Sequence, residues 1–274
     1  MPSGLGRAGM NVPIIHGRLE KDVPILASNP HANRLKAAMA HAVAVSRTPA
    51  FENFVEVVRQ ESPWRFHGVN ELERFLHNVE HHLRTTMPRL LVSVDRIPLV
   101  IFDFGCGSGS GSIALTLLFP EAQCRGVDIS SADVTIARAR ARLYGVDDRC
   151  EFGVIGEGQA LPAPDDSSDL CICCSVLEYI TRPDVRRFCA QEMARVLVEG
   201  GLLFISVPNR IYPVELHSHK LGWNYFPKLL NARIIGSTVW EIRRLARPHV
   251  LGMHRTQLLR LFTPWTNFCL EKRA

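Results

Sequence analysis

A run of alternating glycines is the part of this sequence best suited to bind a small ligand. Residues 103–111 read Asp-Phe-Gly-Cys-Gly-Ser-Gly-Ser-Gly and continue a short apolar run that begins at Leu99. Glycine lets a backbone turn tightly and approach a ligand without side-chain obstruction, and the helix expected after the run adds free amide groups. A dinucleotide-binding Gly-x-Gly-x-x-Gly would need glycine at position 110 or 112, and both residues are serine. The run therefore predicts a cofactor loop that differs from the loop of nicotinamide enzymes.

Acidic and polar segments follow this loop at spacings that suit a nucleoside. Asp128 ends a second apolar run about twenty residues later, where its carboxylate can accept hydrogen bonds from both hydroxyls of a ribose. The segment 157–162 reads Glu-Gly-Gln-Ala-Leu-Pro and comes after a third apolar run. A fourth run, Leu170–Ser175, continues as Val-Leu-Glu-Tyr at 176–179.

Together these segments resemble the class I S-adenosylmethionine (SAM)-dependent methyltransferases. The run that starts at Asp103 is similar to the family's first motif, and 157–162 is similar to its Asp-Ala-x-x-Leu-Pro segment. Residues 166–179 resemble the fourth strand with its Ser-x-x-Leu-x-His continuation, and 195–203 resemble the helix and turn into strand five. The resemblance covers about residues 99–209 in the family's order. It implies that SAM is the cofactor.

The resemblance also implies roles for individual residues. The glycine loop would cradle the methionine part of SAM, Asp128 would bind the ribose, and Ile129 would pack on the adenine. Glu157 would accept a hydrogen bond from the exocyclic amine, and the backbone at Gly158 would meet a ring nitrogen. The implied cofactor contacts are Asp103, Gly105, Cys106, Gly107, Gly109, Asp128, Ile129, Glu157, Gly158 and Ser175.

Two positions depart from the family's pattern. Glu157 stands where the family usually has Asp, and the longer side chain can shift the adenine contact. Tyr179 stands where the family usually has His near the methyl donor. No role is therefore carried over from that histidine.

A second cluster of chemically capable side chains follows the fifth strand. Glu215, His217 and His219 alternate, so on an extended chain they share one face. Methyl transfer depends on aligning the nucleophile with the methyl group, and a base assists when the nucleophile is a hydroxyl. We expect His217 to be that base, because a neutral imidazole near pH 7 accepts a hydroxyl proton readily. The alternative is a polar surface loop in which these histidines have no catalytic role.

The expected acceptor is a small molecule or a saccharide that is methylated at a hydroxyl group. The segment after strand five also resembles bacterial methyltransferases that act on such compounds. The alternatives are C- or N-methylation of another metabolite or lipid-linked acceptor, and a non-catalytic SAM-binding scaffold. A nucleic-acid acceptor is not expected, because residues 174–177 lack the Asn/Asp-Pro-Pro-aromatic motif and the basic residues are scattered. Arg243, Arg244 and Arg247 suit either an anionic group, including a membrane headgroup, or a solvated helix face.

The composition predicts a soluble, cytoplasmic protein. The chain has 274 residues and a formal charge of +5. Its eight cysteines show no Cys-x-x-Cys or zinc-finger spacing, so we expect buried free thiols, a reducing compartment and no metal site. Residues 1–20 lack the apolar stretch of a signal peptide, and no window reaches the ~18 apolar residues of a transmembrane span. Peripheral membrane contact is compatible with the sequence. The sequence does not indicate an oligomeric state.

Short apolar runs alternate with helical patterns, which predicts an α/β fold with a doubly wound, mostly parallel Rossmann-like sheet. One helix is expected at 69–87, and Gly200-Gly201 is expected to stop a helix that begins at Pro183. Residues 267–272 are expected to form strand six after a helix at 256–262, which leaves too little chain for the family's seventh strand. The strand is then naturally absent, the sequence is shortened, or a partner or N-terminal element covers the exposed edge. Four regions are predicted: an N-terminal arm and helical extension (1–95), a SAM-binding core (96–210), an acceptor-recognition insertion (211–252) and a C-terminal helix and strand (253–274).

Overall fold

The computed structural model describes residues 29–209, 237–253 and 265–274, and its centre is a seven-stranded sheet. The strand order is β3-β2-β1-β4-β5-β7-β6. Strands β1 to β5 are parallel, and β7 runs antiparallel between β5 and β6. The strands are β1 Val100–Phe104, β2 Gln123–Asp128, β3 Cys150–Val154, β4 Ser168–Cys174, β5 Leu197–Pro208, β6 Val250–Met253 and β7 Trp265–Arg273. The predicted doubly wound, mostly parallel sheet is confirmed.

Helices cover both faces of this sheet. They are α1 Ala32–Val45, α2 Pro49–Glu61, α3 Val69–Leu76, α4 Asn78–Thr85, α5 Met87–Leu91, α6 Ser110–Leu118, α7 Ser131–Tyr144, α8 Pro183–Arg195 and α9 Val239–Leu245, with a 3-10 helix at Pro63–His67. The prediction of one helix over 69–87 is wrong, because the segment breaks at His77 and Thr86. His77 has φ −94° and ψ 25°, outside the helical range, and Pro88, which has no amide hydrogen, lies in the first turn of α5.

The core lies in two layers because successive side chains of a strand point to opposite faces. Ile101 packs in the cluster with α1 and α4 to α7, whereas its neighbour Phe102 packs in the cluster with α8 and α9. This burial on both faces explains why the strands are continuous apolar runs. All eight cysteines are free, and all except the half-buried Cys174 are buried, as expected from their spacing.

The prediction that a seventh strand is missing is wrong. Residues 265–273 form β7, which pairs with β5 in antiparallel register, and the sixth strand is the earlier segment Val250–Met253. Four residues place only two side chains on each face, too few for a recognisable alternation. The helix expected at 256–262 lies outside the described residues.

Gly200 and Gly201 lie within β5 and do not stop the preceding helix, which ends at Arg195. Gly200 has φ +75°, and the pairing of β4 with β5 shifts its register between Ser168 and Leu170. Glycine permits this left-handed backbone at little cost. The glycine pair therefore produces a β-bulge, which from sequence has the same composition as a helix end.

Candidate cofactor site

The glycine loop lies at the carboxyl end of β1, beside the point where the strand order reverses between β1 and β4. Gly105, Gly107 and Gly109 all have left-handed backbones, with φ of 74°, 50° and 76°. A Cβ on Gly105 would lie 2.2 Å from Cγ2 of Val176, and a Cβ on Gly109 would lie 2.8 Å from Cβ of Ala137. A Cβ on Gly107 would have no atom within 4 Å. Two glycines thus let the loop pack against the protein, and the middle one leaves a backbone cradle open to a ligand.

Asp103 connects the end of β1 to the first turn of α6. The Ser112 hydroxyl donates a hydrogen bond to Asp103 Oδ2 over 2.5 Å, and only 3% of Asp103 is exposed. Burial raises the pKa of Asp103 to about 7; the Ser112 hydrogen bond lowers it and the Asp128 charge raises it further. The carboxyl group can therefore change its charge near neutral pH. Sequence reasoning missed Ser112, which carried no motif of its own.

Asp128 brings the end of β2 to the same loop. Its Oδ2 accepts a hydrogen bond from the Gly107 amide at 2.8 Å, and its Oδ1 accepts one from the Ser130 amide at 2.9 Å. A carboxylate oxygen has two acceptor positions, so both oxygens retain capacity for a ribose hydroxyl. The half-exposed side chain is therefore suited to the ribose role, which stays a prediction.

The residues expected at the adenine lie on the same edge of the sheet. Ile129 is 69% exposed, a large apolar side chain with a face free to pack on a ring. Glu157 and Gly158 form an exposed turn after β3, in which Gly158 has φ +69°. The Ile155 amide donates to the Asp128 carbonyl at 3.0 Å and fixes this turn next to β2.

Cys106 and Ser175 complete the predicted contact set. Burial raises the pKa of the Cys106 thiol, so it stays protonated, and its amide donates to the Val127 carbonyl at 2.9 Å. Ser175 directly follows β4 with the left-handed φ of 57°, and its amide donates to the Ser206 carbonyl at 2.9 Å. Such strain in a non-glycine residue is common at ligand sites. The structure thus brings all ten predicted contacts to the carboxyl edge of the sheet.

Glu178 is a further polar group near this edge that sequence reasoning missed. It is fully buried, and neither carboxylate oxygen has a hydrogen-bond partner among the described residues. Burial raises the pKa of Glu178 to about 7. Only its place next to the Tyr179 departure could have drawn attention to it.

Glu215, His217 and His219 lie outside the described residues. The structure describes both sides of their segment: Asn209 and Ser237 are buried and form a parallel β-bridge at the end of β5. The two residues that flank the segment 210–236 therefore lie at the edge of the sheet that carries the glycine loop.

Of the three arginines around α9, Arg243 has a backbone partner. Its Nε donates to the Leu251 carbonyl at 2.6 Å, whereas Arg244 and Arg247 are exposed. No group of side chains with metal-ligand geometry occurs in the described ranges. Within those ranges, no helix combines the length and apolar character needed to cross a membrane.

The geometry agrees with the comparison with known families. A family model described as a methyltransferase domain matches residues 101–201, which contain the loop, Asp128 and Glu157. The chain carries a class I SAM-dependent methyltransferase domain. SAM is the cofactor of this family, and the open cradle at Gly107 with the exposed Ile129 fits it.

The methyltransferase domain has curated relatives with different acceptors. It is 30% identical over 111 residues to ajmaline N-methyltransferase from Rauvolfia serpentina, covering 40% of this chain and 36% of that protein. It is 29% identical over 151 residues to malonyl-[acyl-carrier protein] O-methyltransferase from Alcanivorax borkumensis, covering 51% of this chain and 49% of that protein. The matched region thus spans less than half the length of these relatives.

The solved structures show the same fold. The PH0226 protein from Pyrococcus horikoshii superposes with a TM-score of 0.54 at 17% sequence identity, covering 71% of this chain and 92% of that one. At this identity the likeness concerns the fold of the methyltransferase domain alone.

Proposed function

We propose that this chain transfers the methyl group of SAM to a hydroxyl group of a small molecule or saccharide. The observation that carries the proposal is the shared edge of the sheet. The glycine loop and Asp128 lie there, and the Asn209–Ser237 bridge closes the base of the segment that contains His217 at the same edge. The described residues that flank the segment with the candidate base thus lie at the edge that carries the cofactor loop, which supports the proposal.

When bound, SAM supplies a methyl group that is attached to a positively charged sulfonium sulfur. Transfer of this methyl group leaves a neutral thioether. The residues of this chain bind and orient the two reactants, which is the main source of acceleration in such a displacement. His217 would take the proton of the acceptor hydroxyl. His219 and Glu215 are the second candidates, because they alternate with His217 in sequence.

A second candidate function is N-methylation, which the ajmaline N-methyltransferase relative favours, whereas the malonyl-[acyl-carrier protein] relative is an O-methyltransferase. Mass spectrometry of acceptor pools incubated with the full chain and isotopically labelled SAM separates the two. We expect label on oxygen of a small molecule or saccharide. Label on nitrogen would establish the second candidate. SAM binding without any transfer would indicate a scaffold.

The role of His217 is tested by His217→Ala, with His249→Ala as the matched control outside the segment. We expect His217→Ala to lower turnover about 100-fold, the usual size of general-base catalysis, with SAM affinity unchanged. Turnover equal to that of the control would remove His217 from the mechanism. His219→Ala and Glu215→Gln, measured in parallel, would then identify the base.

A further inference from the structure

Arg140 is a fully buried arginine in the middle of α7 that contacts the cofactor loop. Its Nη1 donates to the Ser108 carbonyl at 3.1 Å and to the Ser108 hydroxyl at 2.9 Å. Ser108 is the residue between Gly107 and Gly109, so these bonds hold the centre of the loop. Arg140 therefore binds the cofactor loop from α7, through Ser108.

The same guanidinium also binds the helices that precede the sheet. Its Nη2 donates to the Phe75 carbonyl at 2.9 Å, at the end of α3, and it lies 5.0 Å from the centroids of the Phe54 and Phe75 rings. A second link is parallel to it: Asn78 in α4 donates to the Ser110 hydroxyl at 2.9 Å. Two adjacent polar contacts thus join the N-terminal helices to the loop.

These contacts hold a segment of the loop that is rich in glycine and therefore has many accessible backbone conformations. Gly107 and Gly109 flank Ser108 and have left-handed backbones. Glycine gives a loop more conformations to lose on ordering than any other residue. A loop held in its binding conformation before the ligand arrives loses less entropy on binding. Nη1 of the rigid guanidinium supplies two hydrogen bonds to Ser108 in this loop.

Burial of the Arg140 guanidinium carries a desolvation penalty, which indicates a role beyond stability. Arg140 has no ion pair among the described residues, its Nε has no hydrogen-bond partner there, and burial lowers its pKa to about 10. It is therefore still protonated at neutral pH, inside an otherwise apolar stripe of α7. Stability alone favours an apolar side chain at such a position.

We propose that Arg140 is a positioning residue that preorganises the cofactor loop for SAM and connects that loop to the N-terminal helices. The proposal rests on SAM binding at the loop and is independent of the acceptor. It assigns to a residue outside the family's motifs a share of the SAM affinity. The link to Phe75 further implies that the packing of α3 influences that affinity.

The test is calorimetric titration of SAM into the full chain carrying Arg140→Met, with Arg149→Met as the matched control. Arg149 also donates to two backbone carbonyls, those of Thr116 and Pro120, at the opposite end of the sheet. We expect Arg140→Met to weaken SAM binding about tenfold through the lost preorganisation. We expect Arg149→Met to leave SAM affinity unchanged, although it also removes two hydrogen bonds to backbone carbonyls.

Hydrogen exchange supplies a readout that a general loss of stability does not move. In Arg140→Met the amides of residues 105–112 should exchange faster relative to the core strands, and in Arg149→Met their relative protection should be unchanged. Ser108→Ala should weaken SAM binding a few-fold alone and add nothing in the Arg140→Met background, since the two residues form one contact.

Arg140→Lys keeps the charge and the apolar stem with fewer donors, so it provides a variant that folds if Arg140→Met does not. It should bind SAM with an affinity between those of wild type and Arg140→Met. Wild-type affinity and loop protection in both Arg140 variants would overturn the positioning role while leaving the proposed function intact. Failure of the wild-type chain to bind SAM would overturn both.

Discussion

Asp128 binds the cofactor loop directly through the backbone of Gly107, whose amide donates to Oδ2 at 2.8 Å. The carboxylate at the end of β2 thereby fixes the loop conformation, and we predict that its remaining acceptor positions bind the ribose.

Replacing Asp128 should therefore remove both effects at once. We expect Asp128→Ala to weaken SAM binding by about 10- to 100-fold, which corresponds to hydrogen bonds of a charged group worth ~1.5–3 kcal/mol. Calorimetric titration measures the change. Asp148→Ala, which removes an exposed carboxylate, should leave the affinity unchanged. SAM affinity in Asp128→Ala equal to that in the control would refute the cofactor assignment.

Gly107 and Gly145 form a matched pair for testing the cradle. Both have left-handed backbones, with φ of 50° and 65°, and an added Cβ meets no atom within 4 Å at either position. Gly107→Ala and Gly145→Ala should each cost about 1–2 kcal/mol of unfolding free energy from backbone strain. Only Gly107→Ala should also lower SAM affinity, because its methyl group enters the cradle. Denaturant unfolding and SAM titration check the two parts, and equal SAM affinities in the two variants would argue against a cradle at Gly107.

Gly105→Ala should be far more harmful than either of these changes. Its Cβ would lie 2.2 Å from Cγ2 of Val176 in addition to the left-handed backbone. We expect a loss of about 3 kcal/mol or more of unfolding free energy, from strain and overpacking together. A thermal-unfolding midpoint close to that of Gly145→Ala would show that this close packing is absent in solution.

Ile129 should contribute to SAM affinity without contributing to stability. The side chain is 69% exposed, so Ile129→Ala removes little packing from the fold. If adenine covers this face, the variant should bind SAM about tenfold more weakly, given the ~1.5–3 kcal/mol for burial of such a side chain. Val250→Ala, at a 51% exposed position on β6, is the control. Equal SAM affinities in both variants would exclude Ile129 from the adenine site.

The contribution of Asp103 to stability without SAM should decrease as the pH rises toward neutrality. Burial raises the pKa of Asp103 from 3.8 to about 7, so the folded state disfavours the ionised form. The unfolded chain then binds fewer protons than the folded chain between these values, and the unfolding free energy falls from about pH 4 until the group is ionised above about pH 7. Urea unfolding from pH 4 to 8 measures this slope.

Asp103→Asn should flatten that dependence, and Glu178→Gln should remove a further part, because burial also raises the pKa of Glu178 to about 7. The exposed Asp147→Asn is the control and should keep the full slope. An unchanged slope in Asp103→Asn would contradict the raised pKa.

The positions of the residues in the candidate cofactor site were largely predictable because their determinants are local. The glycine spacing requires only neighbouring residues, and Asp128 lies at the end of an apolar run that is itself visible in sequence. Parallel strands then carry their carboxyl ends to one edge, so the residues after each strand meet. The ten implied contacts follow from these short-range patterns.

Other features depended on packing between distant segments. Val250–Met253 is a strand through its pairing with 265–273, which in turn pairs with β5, and a four-residue run does not show this by itself. In the sequence, the glycine pair at 200–201 has the composition of a helix end. The register of β4 with β5 shows that the pair forms a bulge.

The sequence by itself determined that a SAM-type loop follows a buried strand and that acidic and apolar residues accompany it, because spacing along one chain fixes those relations. The tertiary structure alone decided that Ser108 is held by an arginine 32 residues away and that Asp128 shares its carboxylate with the loop backbone. The physical reason is that a buried donor must find an acceptor in three dimensions. Only the folded chain shows that Arg140 is buried and which acceptors it meets.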